Sequence, residues 1–240
     1  MSHSENLAEM VSSWSVRNTG GYRTLREVAL SGAEGTALLA QEMHNRTRAN
    51  ERLYFAAALG YGSGDAGIEE LRSAATETGP GTTDLRCASL LALAKRVGSD
   101  ATDDLAAAPS DKSAAVKHYA LMCLAAVGNG LAYEGAFSQL RSWLKKPIKQ
   151  GSEIYAVVYL LRTDRLDRVI ELQDLLREHE SRMKQKMKDA VLLQIWPGVF
   201  TTRIVTQDDA DHVRTMAWSW FLDGSSLLEG RLPETPVTYV

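Results

Sequence analysis

The stretch LYFAAALGYGSGDAGIEELRSAA, residues 53–75, decides the fold, because it joins two helical patterns through a glycine-rich turn. Apolar and small residues recur at intervals of three and four, as they do along one face of a helix. In the first pattern these residues are Leu53, Ala56, Ala57 and Gly60, and in the second they are Ile68, Leu71 and Ala75. The turn between them supplies glycines that accept positive φ and polar residues that can cap the second helix. The stretch therefore predicts a helical hairpin.

The same hairpin pattern recurs along the chain in both directions. About thirty residues earlier, the segment GAEGTALL that starts at Gly32 repeats the turn and the helix after it. Later alanine-rich segments end at Val97-Gly98 and Val127-Gly128, and an apolar-patterned helix follows each of them. Self-similarity of this kind, with two helices in each unit, is typical of an α-solenoid.

These residues resemble the HEAT-repeat family, in which a first helix of small apolar residues ends in Leu-Gly or Val-Gly before a polar turn. The resemblance covers residues 22–180 and is weaker beyond them. It implies an all-α fold, a right-handed α-solenoid of about five to six helical hairpins. We expect one repeat domain over residues 1–222, with 1–21 as an N-terminal cap and 223–240 as a tail. An irregular helical bundle is the alternative.

The composition limits the classes of function. The chain has 240 residues and a formal net charge of −3, so its overall charge does not favour binding to nucleic acid or to an anionic membrane. Cys87 and Cys123 lie in apolar helical patterns, and their spacing suits neither a metal nor a redox motif. The N-terminus lacks the pattern of a secretory signal, and no apolar run is long enough to span a membrane. We expect a reduced, cytoplasmic protein with no membrane association.

Three motifs that could carry chemistry have better structural explanations. The segment GSGDAG at 62–67 matches a dinucleotide fingerprint, but a helical pattern precedes it where that fingerprint needs a strand. Asp208 and His212 share a helical face, yet Thr206 and Asp209 together predict an N-terminal capping box there. His118 begins an apolar helix and is predicted to pack rather than to act as a base. We therefore expect no cofactor, no metal and no catalytic residues.

Residues 141–190 carry an excess of four basic side chains, which is the basis of a second hypothesis. Two basic clusters could neutralise phosphates if they met in the fold: Arg141, Lys145, Lys146 and Lys149, and Arg182, Lys184, Lys186 and Lys188. The alternative function is accordingly a nucleic-acid-binding HEAT-like protein such as an alkylpurine DNA glycosylase. That resemblance is architectural only, because no matching catalytic residues are present in the sequence.

The favoured hypothesis is a non-enzymatic binding or scaffold module, such as an adaptor or an immunity-type inhibitor. The second helices of a solenoid commonly line its inner surface, and here their polar residues change from acidic to basic along the chain. This pattern suits a protein or peptide partner of mixed charge. The predicted partner-binding residues are Glu69, Glu70, Arg72, Asp103, Asp104, Gln139, Arg141, Lys145 and Lys146.

The C-terminal region carries two further expectations. Val213, Met216, Ala217 and Trp220 are predicted as the buried stripe of the last helix, which leaves Trp218 on another face. Sealing of the core by this helix is favoured, and a homodimer contact through Trp218 is the alternative. The tail after residue 222 is turn-rich, and the sequence leaves open whether it docks in a groove.

Overall fold

A computed structural model describes residues 3–17, 21–145, 152–224, 226–228, 232–233, 235–236 and 238–239. Within these ranges the protein is all-helical and contains no β-strand. Its contacts divide the chain into two compact units, 1–104 and 105–240. The all-α expectation is confirmed, while the single repeat domain over 1–222 stays a prediction.

The helices of the first unit lie where the apolar patterns of the sequence predict helices. They are α1 (His3–Ser12), α2 (Gly21–Leu30), α3 (Ala33–Asn45), α4 (Ala49–Leu59), α5 (Ile68–Thr76), α6 (Thr83–Val97) and α7 (Thr102–Ala107), whose last residues cross into the second unit. Helix α4 packs against α2, α3 and α6, and α5 packs against α3 and α6. Helix α4 therefore lies beside both α2 and α6, and α3 lies beside α5.

Helix α4 buries more than the single face that the spacing predicts. Phe55, Ala56, Ala58 and Leu59 are buried, whereas Leu53 and Ala57 of the predicted stripe are partly exposed. Helix α4 has neighbours on several sides, α2, α3 and α6, and they cover residues beyond the predicted face.

The second unit is also built from helices. They are α8 (Ala114–Val127), α9 (Tyr133–Lys145), α10 (Glu153–Leu161), α11 (Leu166–Glu178), α12 (Gln185–Ala190) and α13 (Gln207–Gly224). A single π-helical turn, Val191–Ile195, follows α12. Helix α10 is the centre of this unit, because it packs against α8, α9, α11, α12 and α13.

Both units use an arginine in the same way. In the first unit, the Arg96 guanidinium donates to the carbonyl of Leu59, 37 residues earlier, at 2.9 Å. In the second unit, the Arg162 guanidinium donates to the carbonyls of Leu124 and Ala125 at 3.2 and 3.1 Å, the latter also 37 residues earlier. Each arginine thus satisfies carbonyls at the end of the preceding first helix, where positive charge is also favourable.

Candidate binding surfaces

A cleft in the first unit contains two of the predicted partner-binding residues, Glu69 and Glu70. It has a volume of about 430 Å³ and is enclosed by the end of α3, the start of α4 and one side of α5. Its lining residues are Met43, His44, Arg46, Arg52, Glu69, Glu70 and Ser73. The wall is therefore polar and carries both signs of charge.

Ion pairs hold the arginines of this cleft in place. Arg46 contacts the carboxylates of Glu42 at 2.7 Å and Glu51 at 3.4 Å. Arg52 donates to Glu77 at 2.5 Å. The side chains of both arginines are less than one fifth exposed, so the two guanidinium groups form part of a fixed wall.

An ion-pair cluster next to the cleft joins Glu69 to two more of the predicted residues, Arg72 and Asp104. Arg72 on α5 contacts Glu69 at 2.7 Å and reaches Asp104 on α7 at 3.1 Å. The hydrogen bond that Arg72 donates to Glu69, followed by the one that it donates to Asp104, raises the pKa of Arg72. Because Arg72 is 38% exposed, these pairs add little stability, but they align the polar sides of α5 and α7.

Two predicted acidic residues of this unit keep their carboxylates free of ion pairs with any described residue. Glu70 is partly exposed in the cleft, and Asp103 is exposed on α7. Every arginine of the cleft wall is already paired with a carboxylate. The cleft and its surroundings therefore present an excess of negative charge.

The second unit has a groove of about 280 Å³ beside α9, and Gln139 lines it. The other lining residues are mostly small or apolar: Ala106, Pro109, Ser110, Leu124, Leu131, Ala132, Gly135 and Ala136. Leu131 is 77% exposed, so the groove has an apolar rim open to solvent.

The predicted basic residues lie on the exposed side of α9. Arg141 and Lys145 are exposed, and the Arg141 guanidinium lies 5.2 Å from the centre of the Phe137 ring. Lys146, the remaining predicted residue, falls outside the described residues.

Comparison of the sequence and structure with protein-family models, curated proteins and solved structures found no match.

The motifs set aside in the sequence have the structural roles that their context predicts. The GSGDAG turn follows helix α4, and Arg96 closes it by donating to the carbonyls of Gly64 and Ala66. Thr206 and Asp209 form the predicted capping box, with reciprocal hydrogen bonds of 3.2 and 3.0 Å. Among the described residues, no group of three or more His, Cys, Asp and Glu side chains is placed to hold a metal ion.

His118 packs as predicted. Its ring lies edge-on to Tyr155, with 5.0 Å between ring centres, and its Nδ1 is 3.4 Å from the Ser152 hydroxyl. Burial, followed by the charge of Lys186, lowers the pKa of His118.

No helix in the described part of the chain has the length and apolar character needed to cross a membrane.

The structure corrects the prediction for Trp218. Trp218 is 2% exposed and stacks on Phe221, with 5.4 Å between ring centres, so the prediction that it lies on a free face was wrong. Its Nε1 donates to the carbonyl of Pro233 at 3.3 Å. The C-terminal residues cover this face, and a homodimer contact through Trp218 has no exposed ring to use.

The basic wall of the first cleft is not among the predicted binding residues. Arg46 and Arg52 belong to the polar segment RTRANER, residues 46–52, whose composition is typical of a solvated helix start. The sequence does contain a signal for the ion pairs of Arg46, because Glu42 precedes Arg46 by one helical turn and Glu51 follows it. The direction in which these arginines face depends on how α3, α4 and α5 pack.

Proposed function

We propose that this protein is a non-enzymatic binding module that recognises a protein or peptide partner of mixed charge along the second helices of a HEAT-like α-solenoid. The observation that carries the proposal is the cleft of the first unit, which Glu69, Glu70, Arg46 and Arg52 line together. A wall of ordered charges of both signs favours a partner with complementary charges and disfavours others.

Recurring contacts between helices within each unit support the solenoid part of the proposal. First helices pack on first helices, α4 on α6 and α8 on α10. The arginine contacts to preceding helix ends recur at a separation of 37 residues. A repeated hairpin that stacks on its neighbours produces such recurring contacts.

Charge reversal in the cleft tests the proposal. The variant Glu69→Lys/Glu70→Lys replaces two carboxylates, and Glu178→Lys/Glu180→Lys makes the same change in net charge at exposed positions of the second unit. Each protein is immobilised and used for quantitative affinity capture from a native lysate. We expect at least one protein to be retained by the wild type and the control and reduced about tenfold or more on the cleft variant.

Far-UV circular dichroism shows whether the helices survive the change. The proposal requires unchanged helicity together with the loss of a partner. Equal capture by all three proteins, or loss of helicity in the cleft variant, would contradict it.

Nucleic acid is the second candidate partner, and the exposed Arg141 and Lys145 on α9 favour it, together with exposed Arg182 and Lys186 near α12. Fluorescence anisotropy with a labelled DNA duplex separates the two candidates. Binding at low salt that weakens steeply as salt is added would support the nucleic-acid function. No change in anisotropy at low salt would remove it.

A further inference from the structure

The C-terminal segment, whose described residues are 232–233, 235–236 and 238–239, contributes Tyr239 to a site at the end of α10. The backbone N–H of Tyr239 donates to the Arg162 carbonyl at 3.1 Å, and the Asp164 N–H donates to the Tyr239 carbonyl at 3.2 Å. These bonds form an isolated parallel β-bridge between Tyr239 and Thr163. Both backbone groups of one extended residue are thus bound by a three-residue seat, 162–164.

The Tyr239 side chain is recognised as well. Its hydroxyl donates to the Tyr159 carbonyl at 2.6 Å, and its ring centre lies 5.4 Å from that of Tyr159. The Arg162 guanidinium lies 5.6 Å from the Tyr239 ring, within the range of a cation–π contact. Burial, followed by the nearby Tyr159, raises the pKa of Tyr239, so the hydroxyl stays a proton donor at neutral pH.

The seat is braced by contacts that do not involve the C-terminal segment. Arg214 on α13 donates to the carbonyls of Leu161 at 3.1 Å and Thr163 at 2.5 Å. Arg162 is anchored on the end of α8, and the Tyr159 hydroxyl donates to the Asn129 carbonyl at 2.5 Å. A seat fixed in this way is largely preformed, which lowers the cost of binding an occupant.

Tyr239 makes most of the hydrogen bonds that the described residues of the C-terminal segment show. Beyond the bonds of Tyr239, the described residues of the segment add the Trp218 bond to Pro233. The covalent connection of the segment to α13 gives it a high effective concentration at the seat. A separate chain of the same chemistry can bind there only when the chain's own segment has left.

We propose that the seat formed by Tyr159, residues 162–164 and Trp218 is a recognition site for an extended, tyrosine-bearing segment of a partner protein. In the isolated molecule the chain's own C-terminal segment fills this site. Recognition by backbone pairing plus one side-chain pocket is an established way to bind extended peptides. This site is separate from the charged cleft of the first unit and does not depend on the function proposed for it.

A labelled peptide tests the site in the full-length protein. The probe is fluorescein-labelled RLPETPVTYV, the sequence of residues 231–240. The protein variant Tyr239→Ala empties the side-chain pocket. We expect it to bind the probe at least about tenfold more tightly than the wild type does, because the wild type must first release its own segment.

A matched peptide and a milder variant complete the experiment. The same peptide with alanine in place of tyrosine should not bind Tyr239→Ala. If that variant loses helical circular dichroism, Tyr239→Phe replaces it, and a smaller gain in probe affinity is expected because the ring still occupies the pocket and only the hydroxyl bond to Tyr159 is removed. Equal probe affinity of wild type and variant, or equal binding of the tyrosine and alanine peptides, would overturn the proposal.

Discussion

At the scale of the residue, Gly128 and Gly135 of the second unit have opposite roles. A Cβ added at Gly128 would lie 2.8 Å from the Tyr159 ring and 2.7 Å from the Leu124 carbonyl oxygen. A Cβ added at Gly135, inside α9, would meet no atom within 4 Å. The first glycine allows α8 and α10 to approach each other, and the second only leaves α9 with excess backbone freedom.

We therefore predict opposite effects of alanine at these positions. Gly128→Ala should lower the free energy of unfolding by about 1–3 kcal/mol, because α10 has to move away. Gly135→Ala should raise it by about 0.5–1 kcal/mol, because alanine is the better helix former. Urea denaturation followed by circular dichroism measures both, and the same sign of change for the two variants would contradict the packing of α8 on α10.

At the scale of the element, α13 shows how a short sequence pattern decides where a helix begins. The Thr206 hydroxyl accepts from the Asp209 N–H at 3.2 Å, and the Asp209 carboxylate accepts from the N–H groups of Thr206 and Val205 at 3.0 and 3.2 Å. All of these partners lie within four residues of each other. The capping box was predictable from the sequence for that reason.

The contribution of this cap to the stability of α13 depends on pH. The hydrogen bond with Thr206, followed by those to the backbone N–H groups, lowers the pKa of Asp209 below its usual 3.8. A carboxyl group with a lowered folded pKa contributes stability above its unfolded pKa and loses that contribution as the pH falls through the folded pKa. The wild type should therefore be more stable than Asp209→Asn at neutral pH, and the difference should vanish as the pH falls from about 4 to below the folded pKa.

Thermal unfolding of the wild type and Asp209→Asn over this pH range checks the expectation. Thr206→Ala serves as the partner variant and should cost about 1 kcal/mol, the usual value of an N-cap side chain. Asp208→Asn is the control, since Asp208 is exposed beside Asp209 and has no hydrogen bond in the described cap. A difference that grows on acidification would show that the cap does not form.

At the scale of the whole molecule, burial is distributed unevenly along the chain. In α10, Ile154 and all residues from 156 to 161 are buried, whereas in α12 Met187 is the buried residue. Helices with many buried contacts open only when a large part of the structure opens, while short exposed helices open locally. We predict that backbone amides of α8 and α10 exchange at least about tenfold more slowly than those of α12.

Hydrogen exchange followed by mass spectrometry measures these rates. Peptides from α4 and α6 are the internal comparison for the first unit, because both helices carry many buried residues. Equal protection of α10 and α12 would mean that α10 is not the centre of the second unit.

The sequence by itself determined the helices, their order and the start of α13, because these features depend on contacts between residues a few positions apart. The hairpin spacing and the buried Cys87 and Cys123 followed from the same apolar pattern. For the candidate surfaces, the sequence identified Glu69, Glu70, Arg72 and Asp104 as polar residues of second helices, and the structure brings them to the cleft or its edge.

Only the tertiary structure decided which faces of these helices are covered. Trp218 became a core residue, and Arg46 and Arg52 became the wall of a cleft, because packing between helices set their surroundings. The bond from Tyr239 to Tyr159 joins residues 80 positions apart, a distance at which local pattern carries no information. Helix periodicity is local chemistry, whereas the choice of neighbour depends on the whole chain reaching its lowest free energy together.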